Sequence, residues 1–345
     1  MFKLTLNRSD IMIFLFSLAV IHGASFALMD NYRFEDCIDC QTYVGLSRGD
    51  FDQSPIRRYR IIVPCIAGVI HRIADPLFET VKPWSFNYDF SLYFSFLIVN
   101  NIIMALFGLI VYKLCRIYVK TSFAAIIGLL TLLTCRWTAY IAGLPLVDSL
   151  YCLIIGMTLL GIKTGNRKLL IAAIFIGPWA KESFIFIAPV IFLYSPINKF
   201  RQLVLFFLSG TLVFGFRFMF DHLNGYDLME SLRLGTGHIT NIRTSLNKLF
   251  SFHGLYELFS VTGFWILLVF TAFSKRKFFS SLILKMERFW LWYLLAVMVH
   301  ILLSADIARM FYLLTPALAL FSALVVDNHS GLQRLLAILP EKDVR

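Results

Sequence analysis

Charge is what this chain has least of. Asp, Glu, Lys and Arg make up only 15% of its residues, against about 25% in an ordinary soluble domain. That leaves no polar module to carry nucleic-acid recognition, despite a formal net charge of +11. The alternating ten-residue segments of a β-barrel are also missing. No second Cys-x-x-Cys and no His pair stands ready to complete a zinc site beside Cys37 and Cys40. That pair reads as a loop cystine or as two free thiols.

What is abundant is apolar sequence. Hydrophobic residues make up 59% of the 345, with 35 Phe among them, in runs near the roughly 20 residues a helix needs to cross a bilayer. The expectation is an all-α polytopic transmembrane bundle, a single integral-membrane domain over 1–345. The first run, 11–29, has a faint cleavage-like sequence at its end but is long for a signal peptide. It reads as an uncleaved span. Others lie at 91–112, 121–135, 147–162, 169–195, 201–219, 258–274, 288–304 and 307–326. The stretch 61–74, interrupted by Pro64, is too short to cross and reads as an interfacial or re-entrant helix.

Topology turns on 169–195. A hairpin of two short helices, turning near Pro178–Ser183, puts every short basic loop on one face, as the positive-inside rule favours. The chain then crosses about ten times with both termini cytoplasmic. The inner face receives 18 basic and 5 acidic residues. The outer face receives 14 basic and 16 acidic ones, and 11 of those 14 are arginine. Arginine's planar fork suits phosphate and carboxylate, so chemistry is expected outside.

The densest outer stretch is 30–60, with six acidic residues, five arginines and no lysine. Within it Asp39 and Tyr43 are spaced i, i+4 and share one face of a short interfacial helix, with Asp36 a turn earlier. A carboxylate above the membrane, near arginines that hold a phosphate, is what deprotonates an acceptor hydroxyl as a lipid phosphate departs. Other outer candidates are Lys181 and Glu182 at the hairpin tip and His238 in the long loop 221–257. Asp306 and Arg309 open the last span. Each has a plainer reading: a solvated turn, a surface histidine, a helix-start ion pair. Asp148 reads either as a functional carboxylate or as a helix N-cap.

These residues resemble a family. Asp39 with Tyr43 four residues on, then Arg58-Tyr59-Arg60 running to Val63-Pro64, is similar to the first-loop pattern of bacterial GT-C-type membrane glycosyltransferases. The Lys181-Glu182 turn and Asp306-Ile307-Ala308-Arg309, with Pro316 beyond, resemble their Lys-Glu turn and closing Asp-x-x-Arg segment. The resemblance implies an inverting transfer from a polyprenyl-phosphate-linked sugar to a lipid, glycan or protein acceptor, outside the bacterial cytoplasmic membrane. Asp39 would be the base, with Asp36 in reserve. Arg58, Arg60 and Arg309 would hold the lipid phosphate. Tyr43, Lys181, Glu182, His238 and Asp306 complete the expected substrate-binding set. Asp50 and Asp52 flank a Phe in a Gly-led turn, so no clear metal pair stands in the first loop and no cofactor is expected. Two rivals remain: an O-antigen-type polymerase or ligase, and a lipid flippase or transporter.

Overall fold

The computed structural model describes residues 7–34, 37–81, 89–227, 238–274, 276–304 and 306–337. Regular structure among these residues is entirely helical. The first half holds α1 (Arg8–Asn31), α2 (Ile38–Ser47), α3 (Ile62–Val81), α4 (Phe90–Tyr118), α5 (Ser122–Leu133), α6 (Arg136–Gly143) and α7 (Asp148–Thr164). Then follow α8 (Arg167–Ala180), α9 (Ala188–Tyr194), α10 (Lys199–Asn224), α11 (Asn241–Leu249), α12 (Phe252–Thr262) and α13 (Ile266–Phe273). The chain closes with α14 (Arg276–Lys285), α15 (Arg288–Leu303), α16 (Ile307–Phe311), α17 (Thr315–Asn328) and α18 (Ser330–Ala337).

By length and composition, five helical runs can cross a membrane: α1, α4, α10, α12 with α13, and α16 with α17. Two bent pairs, α5–α6 at 60° and α14–α15 at 94°, raise the number to seven. The protein is thus an all-helical chain with several apolar helices able to span a bilayer. Helices α4 and α16–α17 are mostly buried and form the middle of the bundle, whereas α1, α10 and α12–α13 turn most of their surface outward. Exposed Phe207, Phe214 and Phe218 on α10 mark such an outer face.

The expected break in 169–195 is present. Helix α8 ends at Ala180, Lys181 is extended (φ −164°, ψ 136°), and a short 3-10 turn, Glu182–Phe186, leads into α9. Arg167 at the start of α8 and Ser195 after α9 line one cavity, so the segment returns to the end it left. Helix α3 is longer than the 61–74 stretch suggested. It continues through Pro76, whose carbonyl accepts from the Thr80 hydroxyl at 2.8 Å. The described part of the loop 221–257 is also largely helical: Ser245 and Asn241 of α11 donate to the carbonyls of Ser304 and Leu303 at the end of α15.

A second break, between α6 and α7, frees backbone carbonyls inside the bundle, where they need protein partners. Adjacent asparagines on α4 supply them. Asn100 donates to the carbonyls of Leu144 and Leu146 at 2.9 and 3.1 Å and accepts from Ser149, while Asn101 donates to Ala142 at 3.2 Å. Gly143 lets this turn touch the backbone of Ser25: a Cβ there would lie 2.6 Å from the Ser25 carbonyl oxygen. The turn delivers Asp148 as the first residue of α7. Asn100→Leu leaves the Leu146 carbonyl and the Ser149 hydroxyl unpaired, each worth about 1–3 kcal/mol, while the Leu144 carbonyl keeps the Leu146 amide at 2.7 Å. A marked fall in melting temperature of the purified protein is expected, larger than for an exposed control such as Asn198→Ala.

Candidate functional site

Asp39 lies in the first turn of α2, whose N-cap is Cys37. The Cys37 sulfur accepts from the Cys40 amide at 3.2 Å, and Cys37 and Cys40 form a disulfide that closes this turn. The turn thereby holds Asp39 in place, with Tyr43 buried one turn on. Arg57, Arg58 and Arg60 follow in the stretch leading to α3. Arg57 Nη2 reaches Asp39 Oδ1 at 2.7 Å, and Arg309 Nη1 donates to Asp39 Oδ2.

From Arg309 the chain of charges goes on inward. Its Nε donates to Asp148 Oδ2 at 3.0 Å and its Nη2 donates to the same oxygen. Asp148 Oδ1 accepts from Lys181 Nζ at 3.0 Å. Asp148 is therefore not a cap: Val147 holds that position and makes no side-chain capping bond. Lys181 and Glu182 are neighbours at the hairpin tip, so the chain continues. Arg60 donates to Glu182 Oε2 through Nη2 at 2.8 Å and Nε at 3.1 Å, and to the Tyr43 hydroxyl through Nη1 at 3.0 Å. Arg217 Nη2 approaches Glu182 Oε1 at 3.2 Å.

Three carboxylates, Asp39, Asp148 and Glu182, are thus gripped by five cations, Arg57, Arg309, Lys181, Arg60 and Arg217. Two positive charges are left over. Arg217 Nε is in addition buried with no hydrogen-bond partner. Burial pushes the Asp39 carboxyl up, but Arg309 and then Arg57 outweigh it, and its pKa lies below the ordinary value. The Tyr43 phenol is pushed up, chiefly by burial, so it stays a hydroxyl.

Other expected residues stand apart. Arg58 pairs with Asp221 at 3.0 Å and stacks over the Tyr226 ring at 3.7 Å, and Tyr59 donates to the same carboxylate. The Asp306 side chain caps α16, accepting from the Arg309 amide at 3.2 Å, and does not form the helix-start ion pair with the Arg309 side chain. Asp36 and the side chain of His238 lie outside the described residues. Two members, Arg57 and Arg217, were not singled out in the sequence, whereas Asp148 was named there. Arg57 looked like one arginine among five, and Asp148 had a competing reading. Arg217 sits inside the apolar run of α10; a lone arginine at membrane depth was its only signal.

A cavity of about 710 Å³ opens beside this network. Arg60, Lys181, Glu182, Arg217 and Asp221 are its charged residues, while Ile185, Phe186, Phe214 and Phe218 belong to its apolar wall. Asp39 and Arg57 do not line it. They stand across the ion chain, with side chains 15% and 32% exposed. His300 borders the cavity with both ring nitrogens engaged, Nδ1 with the Ala296 carbonyl at 2.7 Å and Nε2 with the Tyr151 hydroxyl at 2.6 Å. Among the described residues, His71, Asp75 and Asp89 have ligand-type atoms within 4.8 Å of one another. Asp89 is already committed there, capping α4 and paired with Arg48 at 2.8 Å. No family model, curated protein or solved structure matches this chain.

Removing Arg309 leaves two carboxylates short of a partner, one of them fully enclosed. Breaking one side of such a buried pair costs about 3–5 kcal/mol. Arg309→Ala should lower the melting temperature sharply. Adding Asp148→Asn should recover part of the loss, which a double-mutant cycle measures.

Proposed function

We propose that this protein is a GT-C-type glycosyltransferase of a bacterial cytoplasmic membrane, moving a sugar from a polyprenyl-phosphate carrier to a lipid, glycan or protein acceptor. The observation that carries this reading is the cluster of three cations, Arg60, Lys181 and Arg217, against two carboxylates, Glu182 and Asp221, on the polar wall of a mostly apolar cavity beside the outward-facing side of α10. A polyprenyl phosphate has that chemistry: an anionic head on a hydrocarbon tail. Adding α7, α8 and the Glu182–Tyr194 segment to the seven candidate spans gives the expected ten. The cystine at Cys37–Cys40 belongs to an oxidising compartment, which supports an extracytoplasmic site with both termini inside.

The roles follow from the two sides of the ion chain. The donor lies in the cavity, its phosphate drawn to Arg217, Arg60 and Lys181, whose charge stabilises the phosphate as it leaves. The acceptor approaches from the more exposed side, where Asp39 takes the proton of its hydroxyl. The oxygen then attacks the anomeric carbon as the bond to the phosphate breaks, inverting its configuration. A paired Asp39 is a weak base. It becomes a stronger one when the donor phosphate draws Arg309 away.

Asp39→Asn should cut sugar transfer by roughly 10²-fold or more while leaving membrane insertion and melting temperature near wild type. If Asp39→Asn keeps activity and Glu182→Gln loses it without unfolding, the base lines the cavity instead. A flippase would use the same cavity, and predicts lipid flux in proteoliposomes without transfer.

The pH profile gives a separate check. Arg57 lowers the Asp39 pKa, keeping the carboxylate ionised further into acid. Arg57→Gln removes that charge, raises the pKa and should move the acid limb of the rate profile to higher pH. An unmoved limb would mean that Asp39 does not set it.

A further inference from the structure

A second cavity, of about 930 Å³, lies at the opposite end of the bundle. Its separation from the first is set by the helices joining them. Helix α10 starts in this cavity at Lys199 and carries Arg217 18 residues on, about 27 Å at 1.5 Å per residue. At this end Lys113 pairs with Asp10 at 2.8 Å, and Lys163 pairs with Glu287.

The lining combines three cations with an apolar wall. Arg167, Lys199 and Arg201 are the charged residues, and no carboxylate is among the lining. Lys199 donates to the carbonyls of Phe192 and Leu193 at the end of α9. Arg167 and Arg201 make no salt bridge among the described residues. Beside them lie Ile171 and Phe200 on outward surfaces, 38% and 74% exposed, with Val204 one turn along. Cations at the rim and hydrocarbon below them match the layering of a bilayer's edge: a headgroup above, acyl chains beneath.

We propose that this groove holds an anionic phospholipid of the surrounding membrane, its phosphate between Arg167 and Arg201 and its chains along Ile171 and Val204. A zwitterionic headgroup brings its own cation beside its phosphate and so offers three clustered cations no net charge. An anionic headgroup supplies one, and its tethered chains add contact that a free phosphate lacks. The inference needs only the membrane setting and not the transferase reading.

Native mass spectrometry of the full chain, released from nanodiscs of mixed phosphatidylglycerol and phosphatidylcholine, tests it. Wild type should retain phosphatidylglycerol roughly tenfold over phosphatidylcholine. Arg167→Gln/Arg201→Gln should reduce that preference to near parity, while Lys168→Gln, one residue outside the groove, should keep it. Equal retention of both lipids by wild type overturns the proposal, and that arm needs no variant to fold. So does a folded double variant that retains phosphatidylglycerol as well as wild type. Displacement of the lipid by millimolar glycerol phosphate would show that the groove reads a free phosphate and not a lipid.

Discussion

The bidentate grip of Arg309 on Asp148 is the contact on which the site depends. Asp148 is only 3% exposed, so its charge survives there solely because cations surround it. The same guanidinium reaches Asp39, and Lys181 completes the shell of Asp148. Segments 270 and 161 residues apart from Arg309 are thereby tied to one point. Replacing the pair with apolar residues could keep the helices packed, but it would leave α2 joined to the hairpin tip only through Tyr43, Arg60 and Glu182. The expensive choice is retained where a field is needed.

That point exists because helices end around it. Asp148 begins α7, Lys181 sits in the break after α8, and Arg309 lies in the short α16. Continuous spans would bury these positions against lipid or against each other. Breaks inside a bundle expose carbonyls, however, and Asn100 and Asn101 answer that cost by turning α4 into a source of donors at mid-height. The polar site and these two asparagines are therefore one structural problem: the first requires broken helices, and the second makes the break between α6 and α7 tolerable.

Much of this was legible from residue order. Long apolar runs announced the helices, and the placement of the short basic loops announced a break near Pro178–Ser183. Asp39, Tyr43, Arg60, Lys181, Glu182 and Arg309 stood out because charge is scarce, and they do meet. What residue order could not show is who holds whom. Asp306 and Arg309 are adjacent on one helical turn, yet Asp306 binds only the Arg309 amide, while the Arg309 guanidinium turns to Asp148 and Asp39. Local spacing favoured the near partner. Burial decided for the far one, since a desolvated guanidinium gains more from two enclosed carboxylates than from an exposed one. Arg58 lies between two members of the network, Arg57 and Arg60, yet its own guanidinium turns to Asp221 on α10.

The lowered pKa of Asp39 bears on how such a network can act. A carboxylate that two guanidinium groups stabilise is ionised but sluggish, because what lowers its pKa also lowers its affinity for a proton. A base in that state is quiet while the site is empty. In the proposed reaction, an arriving phosphate competes for the same cations, and the two positive charges that the network holds in surplus set how far that competition runs. Arg217 and Lys181 meet the anion at the cavity wall, and Arg309 stands between them and Asp39. Drawing Arg309 even partly toward the cavity weakens its hold on Asp39 and raises that carboxylate's basicity. In the proposed reaction, donor binding and base activation would then share one guanidinium, and the ion chain would work as a coupling and not only as a clamp.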